Sequence, residues 1–249
     1  MQYDVILAER VNKTVYRAGN RSIKIFNEDY SKASILNEAL NQARMEETSL
    51  NIPRLQEVTM IDGKWAIVTE FVEGKTLEQL MLENPDRFDE YMDRFVRLQL
   101  HVQLQPAPQL TQLKDKMHMK IDQTAFDATT RYDLHTRLAG MHTHHKVCHG
   151  DFNPSTILIT PDDEEYIIDW SHVTRGNGAA DAARTYLVFW LAGQRETAEK
   201  YLKLYCQHAD VARQYVQKWL PIVAASQTVK GKEEELELLS SWVSVVDYQ

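Results

Sequence analysis

Two aspartates set 18 residues apart, Asp151 and Asp169, with a strand, a turn and a second strand written between them, constrain this chain more than any other feature. Asp151 follows His149-Gly150 in a polar loop. Ile157-Leu158-Ile159 then reads as a strand, Thr160-Pro161-Asp162-Asp163 as a turn, and Tyr166-Ile167-Ile168 as the returning strand. Antiparallel pairing of the two apolar runs carries both ends of the hairpin to one edge, so the carboxylates are expected to become neighbours. Two acids so held can divide labour: one accepts a proton from an attacking hydroxyl, the other ligates a divalent metal. The plain alternative is an acidic surface hairpin, but the ordered pattern is much rarer than an isolated His-Gly-Asp.

His149-Gly150-Asp151, Pro154, the hairpin and Ile168-Asp169-Trp170 resemble the catalytic and metal-binding loops of the aminoglycoside phosphotransferase and choline kinase family. These are relatives of the protein kinases, whose motifs are H-R-D-x-x-x-x-N and D-F-G. The resemblance implies an α+β, protein-kinase-like two-lobed fold. Residues 1–72 would form a small five-stranded antiparallel lobe with one helix that binds nucleotide, and 73–249 a large, mostly helical lobe for catalysis and the acceptor. The implied reaction is transfer of the γ-phosphoryl group of ATP to a hydroxyl of a small molecule, with Mg2+ as cofactor. Asp151 would be the base, His149 would brace the catalytic loop through hydrogen bonds, and Asp169 would ligate magnesium. One position departs from the family pattern. Thr156 stands five residues after Asp151, where the family carries a metal-binding Asn; its hydroxyl is a hard but weaker ligand, and Asn153 is the other candidate. That departure opens an alternative, a pseudokinase that binds nucleotide or a partner without turnover.

Before the motif, Tyr3 to Leu7, Thr14 to Arg17 and Arg21 to Phe26 read as strands, the last two joined by a tight Gly19-Asn20 turn. Alternation turns Ser22, Lys24 and Phe26 to one face and Ile23 and Ile25 to the other. A lysine between two isoleucines either snorkels at an edge or aims at something anionic; the resemblance implies contact with nucleotide phosphates. A helix over Tyr30 to Glu46 follows, with Ile35, Leu36, Ala39, Leu40 and Ala43 as an apolar stripe. Glu38 flanks that stripe, as a solvated residue or, by resemblance, as the helix glutamate that pairs with the strand lysine. Pro53 to Met60 and Lys64 to Phe71 form a hairpin across Asp62-Gly63. Glu70-Phe71-Val72-Glu73-Gly74 then looks like the inter-lobe linker, implying backbone contacts from Glu70 and Val72 to an adenine edge. The first hairpin loop, Glu9 to Thr14, has no glycine, although phosphate-binding loops usually use glycine for close backbone approach.

The rest reads as helical. Thr76 caps a short helix through Leu82; Phe88, Tyr91, Met92, Phe95, Val96 and Leu98 mark a longer amphipathic one, broken at Gln105 to Pro108. Helices at roughly 110–122 and 130–143 lead to the motif. Asp181 either caps the helix Ala182 to Leu191 or, by resemblance, supports the catalytic loop from below. Only 12 residues separate Asp169 from Asp181 and no A-P-E motif follows, too little for the activation segment that seats a polypeptide, so a small acceptor is expected. Three or four helices fill Thr197 to Gln249, and Trp219 to Ala225 resembles a C-terminal segment of the same family. Glu233-Glu234-Glu235 reads either as a lure for a cationic acceptor or, more simply, as a solvated first helical turn.

The net charge of −8 argues against a phosphate-backbone partner, so no nucleic acid is expected. The apolar run Tyr186 to Ala192 is too short for a bilayer, and the start of the chain lacks a leader pattern, so a cytoplasmic protein without a membrane partner is expected. Two cysteines, Cys148 and Cys206, fit a reducing compartment. His142, His144, His145, Cys148 and His149 crowd together, but their spacing fits no common zinc pattern. Oligomeric state leaves no mark on the sequence.

Overall fold

The computed structural model describes residues 4–244 and divides the chain into two compact units, Met1–Arg87 with Pro154–His172 and Phe88–Asn153 with Val173–Gln249. The units do not divide after residue 72: 73–87 and the hairpin group with the N-terminal sheet. The reason is local. Lys75–Thr76 pairs with Ile157–Ile159, and Gly74 runs so close to that strand that a Cβ would stand 2.6 Å from the Ile159 carbonyl oxygen.

The first unit is built on a five-stranded antiparallel sheet of β1 (Val5–Arg10), β2 (Lys13–Ala18), β3 (Arg21–Phe26), β4 (Leu55–Ile61) and β5 (Lys64–Glu70), in the order β1-β2-β3-β5-β4. The first strand was expected from Tyr3, which lies outside the described residues; it runs on to Arg10 because Asn27 pins the glycine-free turn. The Asn27 amide nitrogen donates to the Val11 carbonyl at 2.9 Å and its backbone N–H to that of Asn12 at 3.0 Å. In the β4–β5 turn both Asp62 (φ 49°) and Gly63 (φ 80°) are left-handed, as a two-residue hairpin requires.

Alternation on β3 holds. Phe26 packs with Ile67 and with Ile35 and Ala39 of α1 (Lys32–Met45), while Ile23 packs with Ala66 and Val68 on the other face. The apolar stripe of α1 is corrected. Leu36 and Leu40 are 44% and 48% exposed, whereas Ile35, Glu38, Ala39, Gln42 and Met45 are buried. The helix is rotated so that Glu38 belongs to its inward face, which an apolar count alone cannot reveal. After the linker, α2 (Leu77–Glu83) starts on a reciprocal capping box between Thr76 and Gln79, worth about 1 kcal/mol. The expected hairpin forms from Ile157–Ile159 and Glu165–Ile167, and the Ile168 N–H extends its ladder to the Thr156 carbonyl at 3.0 Å.

The second unit is mostly helical: α3 (Phe88–Gln103), α4 (Leu113–Asp122), α5 (Ala128–Gly140), α6 (Gly178–Leu191), α7 (Arg195–Ala209), α8 (Arg213–Gln217), α9 (Leu220–Thr228) and α10 (Glu233–Val243). Strand Lys146–Cys148 pairs with Thr174–Gly176. Its core gathers Phe152, Phe189 of α6 and Tyr201 of α7 around Phe95 of α3, whose ring stacks on that of Phe152 at 4.9 Å. Gln99 is fully buried there and satisfied: it donates to Asp181 and Thr185 and accepts from the Tyr201 hydroxyl. No helix among the described residues is long and apolar enough to cross a membrane.

Candidate active-site elements

In the first unit the strand lysine and helix glutamate meet. Lys24 Nζ donates to Glu38 Oε1 at 2.5 Å and lies 3.4 Å from Asp169 Oδ1. Burial alone would lower the Lys24 pKa, but the Asp169 and Glu38 carboxylates more than offset it, so the ammonium is held charged above its ordinary range. Asp169 takes its place through backbone form as well as charge: it is left-handed at φ 64°, a conformation that Asp tolerates better than most residues. The next residue, Trp170, is buried and its indole N–H donates to the Ile167 carbonyl, anchoring this turn.

Sequence reasoning assigned Lys13 no firm role. Its Nζ stands 3.6 Å from Asp169 Oδ2 and 3.9 Å from Glu38 Oε1, making a second cation on the same two acids. Burial and the charge of Lys24 lower its pKa, opposed by Asp169 and Glu38. The pairing Val15↔Lys24 sets Lys13 two residues along the adjacent strand, on the same face as Lys24 by the period of two, and that was the available signal.

Thr156 is 6% exposed, and its carbonyl bond from Ile168 puts it at the same end of the hairpin as Asp169. Glu70 ends β5, with its N–H committed to the Arg54 carbonyl; the Phe71 N–H goes to Asn20, and Val72 follows in open coil.

In the second unit, Asp151 sits in a loop tied down on every side. Gly150 is left-handed at φ 82°, and its N–H donates to Asp181 Oδ1 at 2.7 Å. His149 is fully buried; its Nδ1 accepts the Asp151 N–H at 3.3 Å, which assigns the neutral ring's proton to Nε2. The Asn153 side-chain nitrogen donates to the Asp151 carbonyl at 2.9 Å, and the Thr185 hydroxyl donates to the Phe152 carbonyl at 2.8 Å.

The capping role read for Asp181 is corrected. Asn177 is the N-cap of α6, so Asp181 falls in the first turn and points inward, 3% exposed, where burial raises its pKa despite the Gly150 N–H. Cys148 is likewise buried, and burial pushes its thiol well above the ordinary range, away from reactivity.

A further residue on α6 was missed. Arg184 Nη2 lies 3.2 Å from Asp151 Oδ1, and Nη1 donates to Gln227 Oε1 at 2.7 Å. One helical turn separates Arg184 from Asp181, so the two share a face, and this spacing could have identified it. Glu235 is also corrected: it is buried rather than solvated, accepting from Gln227 at 2.6 Å and from Lys232 at 2.9 Å. A cavity of about 470 Å³ in this unit, walled by Tyr186, Trp190 and Trp242, includes neither Asp151 nor Arg184.

Chemically, the first unit offers two cations and oxygen donors suited to a metal–phosphate group, and the second offers a positioned carboxylate. Magnesium typically takes one or two carboxylates and completes its shell with water and phosphate oxygens, and Asp169 is a carboxylate of that kind.

Comparison with known proteins agrees with this architecture. A thermostable mutant of aminoglycoside phosphotransferase APH(4)-Ia, solved in a ternary complex with AMP-PNP and hygromycin B, matches with a TM-score of 0.65 at 16% identity, over 96% of this chain and 90% of that one. Aminoglycoside-3'-phosphotransferase of type VIII matches with a TM-score of 0.68 at 15% identity, over 90% and 93%. Choline kinase LicA from Streptococcus pneumoniae matches with a TM-score of 0.63 at 13% identity, over 96% and 92%. These likenesses show a shared two-lobed, protein-kinase-like α+β fold. A search of curated proteins finds no match. The model of the phosphotransferase enzyme family matches residues 6–215, most of the chain, and the protein belongs to that family.

Proposed function

We propose that the protein transfers the γ-phosphoryl group of ATP to a hydroxyl of a small molecule. The observation that carries this reading is the convergence of Lys24, Lys13, Glu38 and Asp169, two cations held by two acids where a triphosphate needs both charge and a metal ligand. Lys24 and Lys13 would bind the phosphates, Glu38 would orient Lys24, and the Glu70 carbonyl and Val72 amide would meet the adenine edge. Magnesium, held by Asp169 and Thr156, would stabilise charge on the phosphate oxygens. Asn153, the other candidate, has its amide nitrogen engaged with the Asp151 carbonyl and would reach the metal only through Oδ1.

In the transfer, the acceptor oxygen bonds to the γ-phosphorus as the bond from that phosphorus to the ADP oxygen breaks, its electron pair leaving with ADP. The acceptor proton passes to Asp151 and then to solvent. His149 and Asp181 hold the loop so that this carboxylate need not reorganise.

A pseudokinase is the second reading, favoured by Thr156 in place of Asn and by the Arg184 ion pair, which occupies one Asp151 oxygen. Two measurements separate them. AMP-PNP at about 100 times its dissociation constant should stabilise the protein by roughly 2.7 kcal/mol, in a magnesium-dependent way that Asp169→Ala abolishes. ADP release with a hydroxyl acceptor should fall on the order of 10²- to 10⁴-fold in Asp151→Asn. Magnesium-independent binding without turnover would establish the pseudokinase.

A further inference from the structure

The base stands among cations. Arg184 is 12% exposed at its side chain and bridges Asp151 and Gln227. Gln227 is in turn held by Glu235, and Glu235 by Lys232, so the guanidinium is preset by a chain of hydrogen bonds across α6, α9 and α10. Two more cations feel it. Lys116 on α4 has its pKa lowered to about 8 by burial and then by Lys120, Lys230 and Arg184. Lys230, beyond the end of α9, keeps an exposed residue surface, but partial desolvation of its ammonium and then Arg184 lower its pKa to about 8, with Asp151 and Glu235 opposing. Arg184 is thus the cation in direct contact with Asp151, Lys230 acts on Asp151 and Glu235 through space, Lys116 stands behind Arg184 and Lys230, and Glu235 is already matched by Lys232. The local surplus is positive in a chain whose net charge is −8.

We infer that the acceptor is an anionic hydroxyl compound, carrying a carboxylate or phosphate beside the hydroxyl that Asp151 deprotonates. The inference rests on the phosphotransferase reading above. A general base acts within hydrogen-bond reach of the proton it takes, so the acceptor's reactive oxygen lies next to the carboxylate that Arg184 already touches. Two of the five guanidinium N–H groups are taken by Asp151 and Gln227, and a planar fork suits a carboxylate or phosphate. An acceptor ammonium placed there would instead meet like charge in a partly desolvated site. Nothing in the acidic turn Glu233-Glu234-Glu235 reverses this, because its inward member is neutralised.

The test is titration, followed by ligand-observed NMR and calorimetry, of protein whose nucleotide site is filled with AMP-PNP and magnesium. The probes are glycerate, glycerol 3-phosphate, glycerol and choline. At least one anion is expected to bind about tenfold more tightly than glycerol or choline, as a charge-assisted hydrogen bond allows; which anion leads separates a carboxylate from a phosphate acceptor. Lys230→Gln, a change at an exposed side chain, should remove most of that preference while AMP-PNP affinity reports an intact fold. Tighter binding of choline, or an anion preference untouched by both Lys230→Gln and Arg184→Gln, overturns the inference and leaves Arg184 a purely structural residue. Failure of AMP-PNP itself to bind overturns the phosphotransferase reading, and this one with it.

Discussion

Asp181 accepts the backbone N–H of Gly150 at 2.7 Å across 31 residues of sequence, so a buried helix carboxylate fixes the peptide immediately before the proposed base. Asp181→Leu leaves that N–H without its acceptor and the Gln99 amide with Thr185 alone. We expect a loss of about 1–3 kcal/mol in urea unfolding, together with a fall in kcat larger than any change in the KM for ATP. Unchanged kcat in folded protein would limit Asp181 to stability.

Lys24→Met removes the cation that Glu38 and Asp169 share, and Lys13 remains at longer range. Stability should fall by roughly 1–3 kcal/mol, and the KM for ATP should rise about tenfold or more. Lys13→Met should act in the same direction with a smaller effect. Steady-state kinetics at saturating acceptor checks both.

Thr156→Asn restores the side chain that the family pattern places there, at similar volume. The magnesium concentration for half-maximal ADP release should fall, with little change in melting temperature. An unaltered magnesium dependence would remove Thr156 from the metal shell.

Anion binding should weaken as pH rises through about 8, where Lys116 and Lys230 lose their protons. The guanidinium of Arg184 supplies part of the affinity independently of these two lysines, and Asp151, Glu235, Lys120 and Lys232 are the other charges that face them. The stability term has the opposite sign. Between about 8 and the ordinary 10.5 the unfolded chain binds more protons than the folded one, so these two lysines make the protein more stable as pH rises across that window. Lys24, shifted upward, contributes stability that is complete below 10.5 and is lost only at higher pH. Calorimetric titration at pH 7 and 9.5 reads the first effect and urea unfolding the second.

Much of this was legible in the residues. Alternation on β3 placed Lys24 on one face with Phe26, and the family resemblance supplied its pairing with Glu38, which the residues alone left open to a snorkelling lysine and a solvated helix face. The rotation of α1 was not legible: Leu36 and Leu40 extend the apolar count, and only the buried ion pair selects the face carrying Glu38. Of the two compatible roles read for Asp181, capping falls because Asn177, four residues earlier, takes it with a side chain equally suited to it, and the contact with the Gly150 N–H remains. Lys116, Arg184 and Lys230 come from separate helical segments, and only tertiary packing relates them.

The first unit is discontinuous in sequence, closing only with Pro154–His172 after the chain has passed through 88–153. During synthesis its sheet can emerge early, but Gly74 then lacks the Ile159 backbone it is shaped to approach, and Lys24 lacks Asp169. Closing so long a loop carries an entropic cost that local strand pairing does not. A nascent chain halted at Arg87 would therefore expose Lys24, Lys13 and Glu38 without Asp169, and the proposed nucleotide site can mature only once residues 88–172 have left the ribosome.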